Sequence, residues 1–257
     1  MNKETGITKA LPLILILLLV GCWELFVRLT HTPLYILPSP SKMLITFASE
    51  LPTLLQHAKV TLSETLLGLL IATALASLIG IMMDAYSVLH KALYPILVMT
   101  QTIPVIVLAP IFIIYLGFGL APKILTVVLM CFFPITITFA DALQEQDLRR
   151  INLLRSMGAP AWKIYWIVKI PGALPAFFSG LKVSATYSIS GAVVGEWLSS
   201  SSGLGYYMLR VKNGYMLDKV FASVLMVALL SLLMTIGVTL LAKLIIKPPK
   251  KSRRKLT

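Results

Sequence analysis

The sequence predicts an all-α polytopic membrane protein with about six transmembrane helices and both termini in the cytoplasm, and three observations carry that expectation. Hydrophobic residues make up 58% of the 257 positions and charged residues 13%, against roughly 45–50% and about 25% in ordinary globular chains. The mean hydropathy of +0.88 is too high for one anchor on a soluble domain, which would pull the average down. Six stretches are also long and apolar enough to cross a bilayer: a helix needs roughly 20 residues to span about 30 Å of hydrocarbon with its backbone satisfied internally. They lie near Ala10–Leu29, Val60–Met83, Ala92–Leu116, Lys123–Ala140, Gly172–Trp197 and Lys219–Ile246.

Orientation follows from charge. The 23 Lys+Arg less 10 Asp+Glu leave +13, and an even number of spans puts both termini on one side. Placing the N-terminus inside gathers 15 of the 23 basic residues there and leaves 7 outside, with Lys182 within a span. This is the positive-inside bias of a multi-pass protein, and it accounts for the basic balance without nucleic-acid binding. Cys22 and Cys131 sit in apolar runs and His31, His57 and His90 are scattered, which excludes a disulfide framework or a zinc site.

Each span has its own signals. In the first, Lys3 and Lys9 before Leu11–Val20 and Cys22 imitate a lipoprotein leader. The apolar run continues through Phe26 and Val27, which favours an uncleaved helix, and Glu24 and Arg28 can pair four residues apart. Thr61, Glu64 and Thr65 fall near the outer end of the second span, as pathway groups or as solvated interfacial ones. In the third, Gln101 and Thr102 precede Pro104, and Pro104 and Pro110 free carbonyls for local bending. On the fifth, Gly180, Ser184, Tyr187, Ser188 and Gly191 recur every three to four residues, a stripe that suits either a pathway lining or close helix packing. Lys182 reaches toward the cytoplasm. A basic tail over 247–257 anchors the topology or attracts anionic lipid.

The longest connection, over 141–171, is not a floppy linker. Leu148, Ile151, Leu154 and Met157 recur at near-helical spacing with Arg149, Arg150 and Arg155 off that stripe. Gly158 is the natural stop, and Pro160 suits the first turn of a second helix over 161–169. Pro171, Gly172 and Pro175 punctuate the entry to the fifth span. The result is a short amphipathic helix–turn–helix whose apolar stripe faces either lipid or a groove on another protein.

The run Asn152-Leu153-Leu154-Arg155-Ser156-Met157-Gly158, followed by Val168-Lys169-Ile170-Pro171, resembles the EAA loop of ABC importer permeases, E-A-A-x3-G-x9-I-x-L-P. Gly158 and Pro171 fall in register, whereas the Glu-Ala-Ala itself is Asn-Leu-Leu here, so no role of the leading Glu is carried over. Gly195-Glu196-Trp197-Leu198 with Ser202-Gly203-Leu204-Gly205-Tyr206, Gln101-Thr102-Ile103-Pro104 with Leu108-Ala109-Pro110, and Ile36-Leu37-Pro38-Ser39-Pro40-Ser41 are similar to the nitrate/sulfonate/taurine-type branch, which includes importers of thiamine-pyrimidine precursors. The resemblance covers nearly the whole chain.

It implies a single transmembrane permease domain of type I importer architecture in the bacterial plasma membrane. Two copies would enclose a pathway. Two cytoplasmic ATP-binding cassette subunits would dock the loops, and an external solute-binding protein would deliver a small solute such as an aliphatic sulfonate, nitrate or a thiamine-pyrimidine precursor. The coupling positions would be Ile151, Leu154, Arg155, Met157, Gly158, Ala159 and Pro171. The pathway positions would be Gln101, Thr102, Pro104, Ser184, Tyr187, Ser188 and Glu196. The chain lacks G-x-x-x-x-G-K-[ST] and any catalytic or metal constellation, so it is expected to be no enzyme and to bind no cofactor, with ATP used by its partner. Ser202-Gly203-Leu204-Gly205 reads only as an outer turn. The rivals are an ATP-independent secondary transporter, which would want mid-membrane ionisable groups and inverted repeats, or a channel.

Overall fold

The computed structural model describes residues 6–246, with side chains from Leu11 onward except that of Ser199. The expected basic tail over 247–257 lies outside the described residues. Among them there are only helices. Helix α1 (Gly6–Leu29) is joined by two turns to α2 (Pro40–Ser49), whose first turn is capped by the Ser39 hydroxyl accepting from the Lys42 N–H. Then come α3 (Leu51–Ala85), α4 (Ser87–Thr100), α5 (Val105–Leu116) and α6 (Leu120–Gln144). An arm of α7 (Leu148–Ser156) and α8 (Ala161–Ile164) follows, running through a π-helical turn (Tyr165–Lys169) into α9 (Ile170–Ser199). Helices α10 (Leu204–Asn213) and α11 (Leu217–Ile245) complete the chain.

Helices α3, α6 and α9 form the centre. Their buried faces meet through Leu69, Ala72 and Ala76, through Val127, Cys131 and Ile135, and through Phe178, Ala185 and Ala192, with Val238 and Ala242 of α11 alongside. The outward faces stay apolar: Leu70 is 66% and Leu233 62% exposed, as expected where the solvent is lipid. On α1 every side chain from Leu11 to Val20 is exposed. That helix is tethered near its C-terminal end, where Glu24 accepts from Arg28 (2.7 Å) and from the Ser41 N–H (2.9 Å).

The α6–α9 contact is built on the small-residue stripe. A Cβ on Gly180 would stand 2.9 Å from the Pro134 carbonyl oxygen, and one on Gly195 2.9 Å from the Lys123 Cα. Ser184 donates its hydroxyl to the Cys131 carbonyl at 2.8 Å. Small side chains let two backbones approach this closely, and dispersion then rewards the whole contact.

Two expectations change. The third span, read as continuous over 92–116, is two helices bent by 103° at Gln101–Pro104, because Pro104 has no N–H to carry a helix through and disfavours helical backbone in the residue before it. Of the prolines expected to mark the entry to the fifth span, Pro171 stands at it, whereas Pro175 lies inside α9. Pro171 occupies the first turn of α9, where a missing N–H is tolerated, and the backbone widens to a π turn just before it.

Candidate functional site

Three regions bring the expected residues into place, two at opposite ends of the bundle and one at mid-depth. At the arm end, Asp147 caps α7 by accepting from the Arg149 N–H at 2.9 Å. Helix α7 stops at Gly158, whose φ of +75° is open to glycine at little cost, and nothing lies within 4 Å of where its Cβ would be. The Gly158 and Ala159 N–H groups satisfy the Arg155 and Leu154 carbonyls at 2.9 and 3.0 Å. The predicted stripe divides between two surfaces. Ile151 is buried and Leu154 half-buried, while Met157 is 74% exposed, together with Leu148, Leu153, Trp162 and Trp166. Ile151 and Ile164 are the arm's two buried apolar side chains, and, Leu154 and Ala159 apart, the others stay exposed. Arg155 and Ala159 line a cleft of about 370 Å³ with Asp84, Tyr165 and Lys169. Pro171 is exposed on α9.

At mid-depth the break between α4 and α5 opens a cavity of about 330 Å³ lined by Thr100, Gln101, Ile103, Val105, Leu129, Met130, Phe133, Pro134 and Tyr187. Gln101 and Tyr187, distant in sequence, thus share one wall. The hydroxyls of Thr100 and Thr102 donate to the Ile96 and Met99 carbonyls at 2.6 and 2.7 Å. Neither Thr102 nor Pro104 lines the cavity; they shape the break. Ser184 and Ser188, expected on the pathway, are fully buried within the bundle instead. The Ser184 hydroxyl bonds across to α6, and that of Ser188 to the Ala185 carbonyl at 2.8 Å. Of the α9 stripe only Tyr187, half exposed, reaches the cavity.

The third region, at the opposite end, was the least visible in the sequence. Glu196 is 1% exposed, yet both its oxygens are satisfied. Thr61 donates to Oε1 at 2.7 Å and the Gly205 N–H to Oε2 at 2.6 Å. The Leu204 N–H donates to the Thr61 hydroxyl at 2.8 Å and the Gly203 N–H to His57 Nδ1 at 3.1 Å. Gly203 has φ +106°, and a Cβ there would fall on the Glu196 carboxylate. The Gly-Leu-Gly run is therefore more than an outer turn: it folds over a buried carboxylate and seats Leu204 in the core. Beside it Glu64, 1% exposed, forms an ion pair with Lys123, which also donates to Ser200 at 3.1 Å. Glu64 is thus neither an interfacial group in water nor part of the cavity wall. Near the same end Lys219 pairs with Glu50 at 2.6 Å and holds its carboxyl below the usual range.

The family model described as "Binding-protein-dependent transport system inner membrane component" matches residues 64–247. The chain is 34% identical over 221 residues to a probable ABC transporter permease protein of Haemophilus influenzae, covering 86% of this chain and 90% of that one. It is also 34% identical over 223 residues to the formylaminopyrimidine transport permease protein ThiX of Halalkalibacterium halodurans, covering 86% and 89%. Among solved structures, the inward-facing MetNI methionine ABC transporter superposes with a TM-score of 0.64 at 18% identity, covering 76% of this chain and 96% of that one. That similarity supports the helical fold.

Proposed function

Because the chain belongs to the family of binding-protein-dependent transport inner membrane components and is a non-catalytic, multi-pass permease component of an ABC importer, we propose that two copies enclose its translocation pathway. Each arm docks on a cytoplasmic ATPase subunit, and an external solute-binding protein supplies the solute. The observation that carries this reading is the arm itself. Ile151 and Ile164 are buried, while Leu153, Met157 and Trp162 stay exposed around a hydrogen-bonded turn. A lever needs this stiffness, which a flexible linker lacks.

The direct test is co-purification of the permease with an ATP-binding cassette subunit from the same organism. Glutamates at both Leu153 and Met157 place charge where an apolar contact is expected, and should weaken association about thirtyfold, the equivalent of about 2 kcal/mol. Membrane insertion should be unaffected, because both side chains are exposed in the isolated chain. Undiminished co-purification counts against the docking face.

For the solute we infer an uncharged heterocycle rather than a sulfonate or nitrate. No charged side chain lines the mid-depth cavity, and Lys123, a cation within the helical bundle, is already neutralised by Glu64. A planar ring would pack against Met130 and Phe133 on the α6 face, with the Gln101 amide and the Tyr187 hydroxyl available to its polar edge. The formylaminopyrimidine permease among the relatives is consistent with this choice. ATP-driven uptake of a labelled neutral aminopyrimidine should fall about tenfold in Tyr187→Ala, the size of a lost ring contact plus hydrogen bond. Taurine uptake that is indifferent to Tyr187 and Gln101 would instead favour an anion carried by another route.

A further inference from the structure

Besides its packed face, helix α3 carries a buried ion pair toward each end of its apolar stretch. Glu64 and Asp84 are 20 residues apart with no charged residue between them, about 30 Å along a helix and so the thickness of the hydrocarbon layer. Glu64 is tied to α6 through Lys123. Asp84, the penultimate residue of α3, is tied to the π turn below the arm. Lys169 Nζ lies 2.8 and 2.6 Å from its two carboxylate oxygens, Tyr165 donates its hydroxyl to Oδ2, and the ammonium of Lys169 stands 5.0 Å from the centre of the Tyr165 ring. The carboxylate is 2% exposed and the Lys169 side chain 16%. The carboxylate is thus withdrawn from water and the ammonium mostly so, although both border the cleft, and a pair so placed is less screened than one on the surface.

This arrangement gives the arm three attachments. Two are covalent, through residues 145–147 to α6 and through the π turn into α9. The third is the grip on Asp84, which sits on a different helix, 85 residues earlier than Lys169. A displacement of the arm that kept the grip would carry the end of α3 with it. If the grip were cut, the same displacement would reach α3 only indirectly, through its packing on α6 and α9.

We propose that Asp84 is a positioning residue for coupled transport, the pin through which movement of the arm is delivered to α3. The inference rests on the ATPase-docking reading of the arm. Asp84 does not line the solute cavity, and although it borders the cleft beside Arg155 and Ala159 it is not one of the arm's exposed apolar side chains, so its loss should spare the cavity and those side chains.

The test uses the full permease with its ATPase and solute-binding protein, reconstituted in liposomes. In Asp84→Ala the ATPase should still co-purify in wild-type amounts. Solute transported per ATP hydrolysed should fall about tenfold, within the range of ordinary coupling effects. Tyr165→Phe, which keeps the ring and removes one donor, should lose less. The exchanged pair Asp84→Lys with Lys169→Asp should recover part of the transport ratio, which a purely structural defect would not do. Unchanged transport per ATP in Asp84→Ala overturns the pin alone. So does loss of ATPase binding in Asp84→Ala without recovery in the exchanged pair, since that marks a folding contact. A wild-type complex that neither binds the ATPase nor shows ATP-dependent uptake overturns the functional reading and the pin with it.

Discussion

Lys123→Met is expected to be the most damaging substitution in the bundle, lowering stability by about 3–5 kcal/mol, because it leaves Glu64 as a buried charge with its partner gone. The cost comes from the unpaired carboxylate rather than from any large net strength of the pair. Converting both members to apolar residues of similar volume, Lys123→Met with Glu64→Leu, should therefore recover most of the loss. Thermal unfolding of the detergent-solubilised protein checks this by comparing the single and double variants. A double variant no more stable than Lys123→Met would show that the two positions matter for packing and not for charge. Glu64→Gln alone should fall between them, since an amide is neutral but still wants partners.

Gly180→Val is expected to follow closely, at about 3 kcal/mol or more, through overpacking. The added Cβ meets the Pro134 carbonyl oxygen at 2.9 Å and the Ile135 Cα at 3.2 Å, and these are backbone atoms that cannot rotate away. Gly180→Ala should already be measurable, and the branched side chain should force α6 and α9 apart. The separation would also strain the Ser184 hydroxyl's bond to the Cys131 carbonyl one turn along. Resistance of the variant to mild heat or proteolysis, measured beside wild type in the same membrane mimetic, decides the matter. Wild-type resistance in Gly180→Val would mean that the α6–α9 contact yields more easily than its geometry implies.

What the sequence made legible was whatever local spacing encodes. Apolar length alone gave five of the long helices, and Gly158 with Pro160 gave the turn of the arm, because a positive φ and a missing N–H are properties of single residues. The Glu24–Arg28 pair was visible as an i, i+4 spacing and is present at 2.7 Å. Relations between distant segments were not legible. Lys123 reads as a residue at a span boundary until Glu64, 59 residues away, is placed against it. Ser184 and Ser188 have the polarity of a pathway and the size of a packing surface, and only the approach of α6 decides between them. The bend at Gln101–Pro104 had its signal in Pro104, but a proline sets the place of a break and not its angle. Gly203-Leu204-Gly205 reads from the sequence only as an outer turn and Glu196 only as a pathway group, and it is their contact across seven residues that local spacing does not show.

The π turn between arm and shaft has a geometric corollary. Seven residues bring an unbroken α-helix almost full circle, so Trp166 and Ala173 would stand in one row. Here Trp166 is 66% exposed while Ala173 is fully buried. The widened turn supplies the phase offset that lets one continuous strand of chain show tryptophans outward on one side of the joint and alanine inward on the other. Excising a single residue from 165–169 would re-time that joint by about 100°, and every side chain of the arm would then point somewhere its neighbours do not expect it.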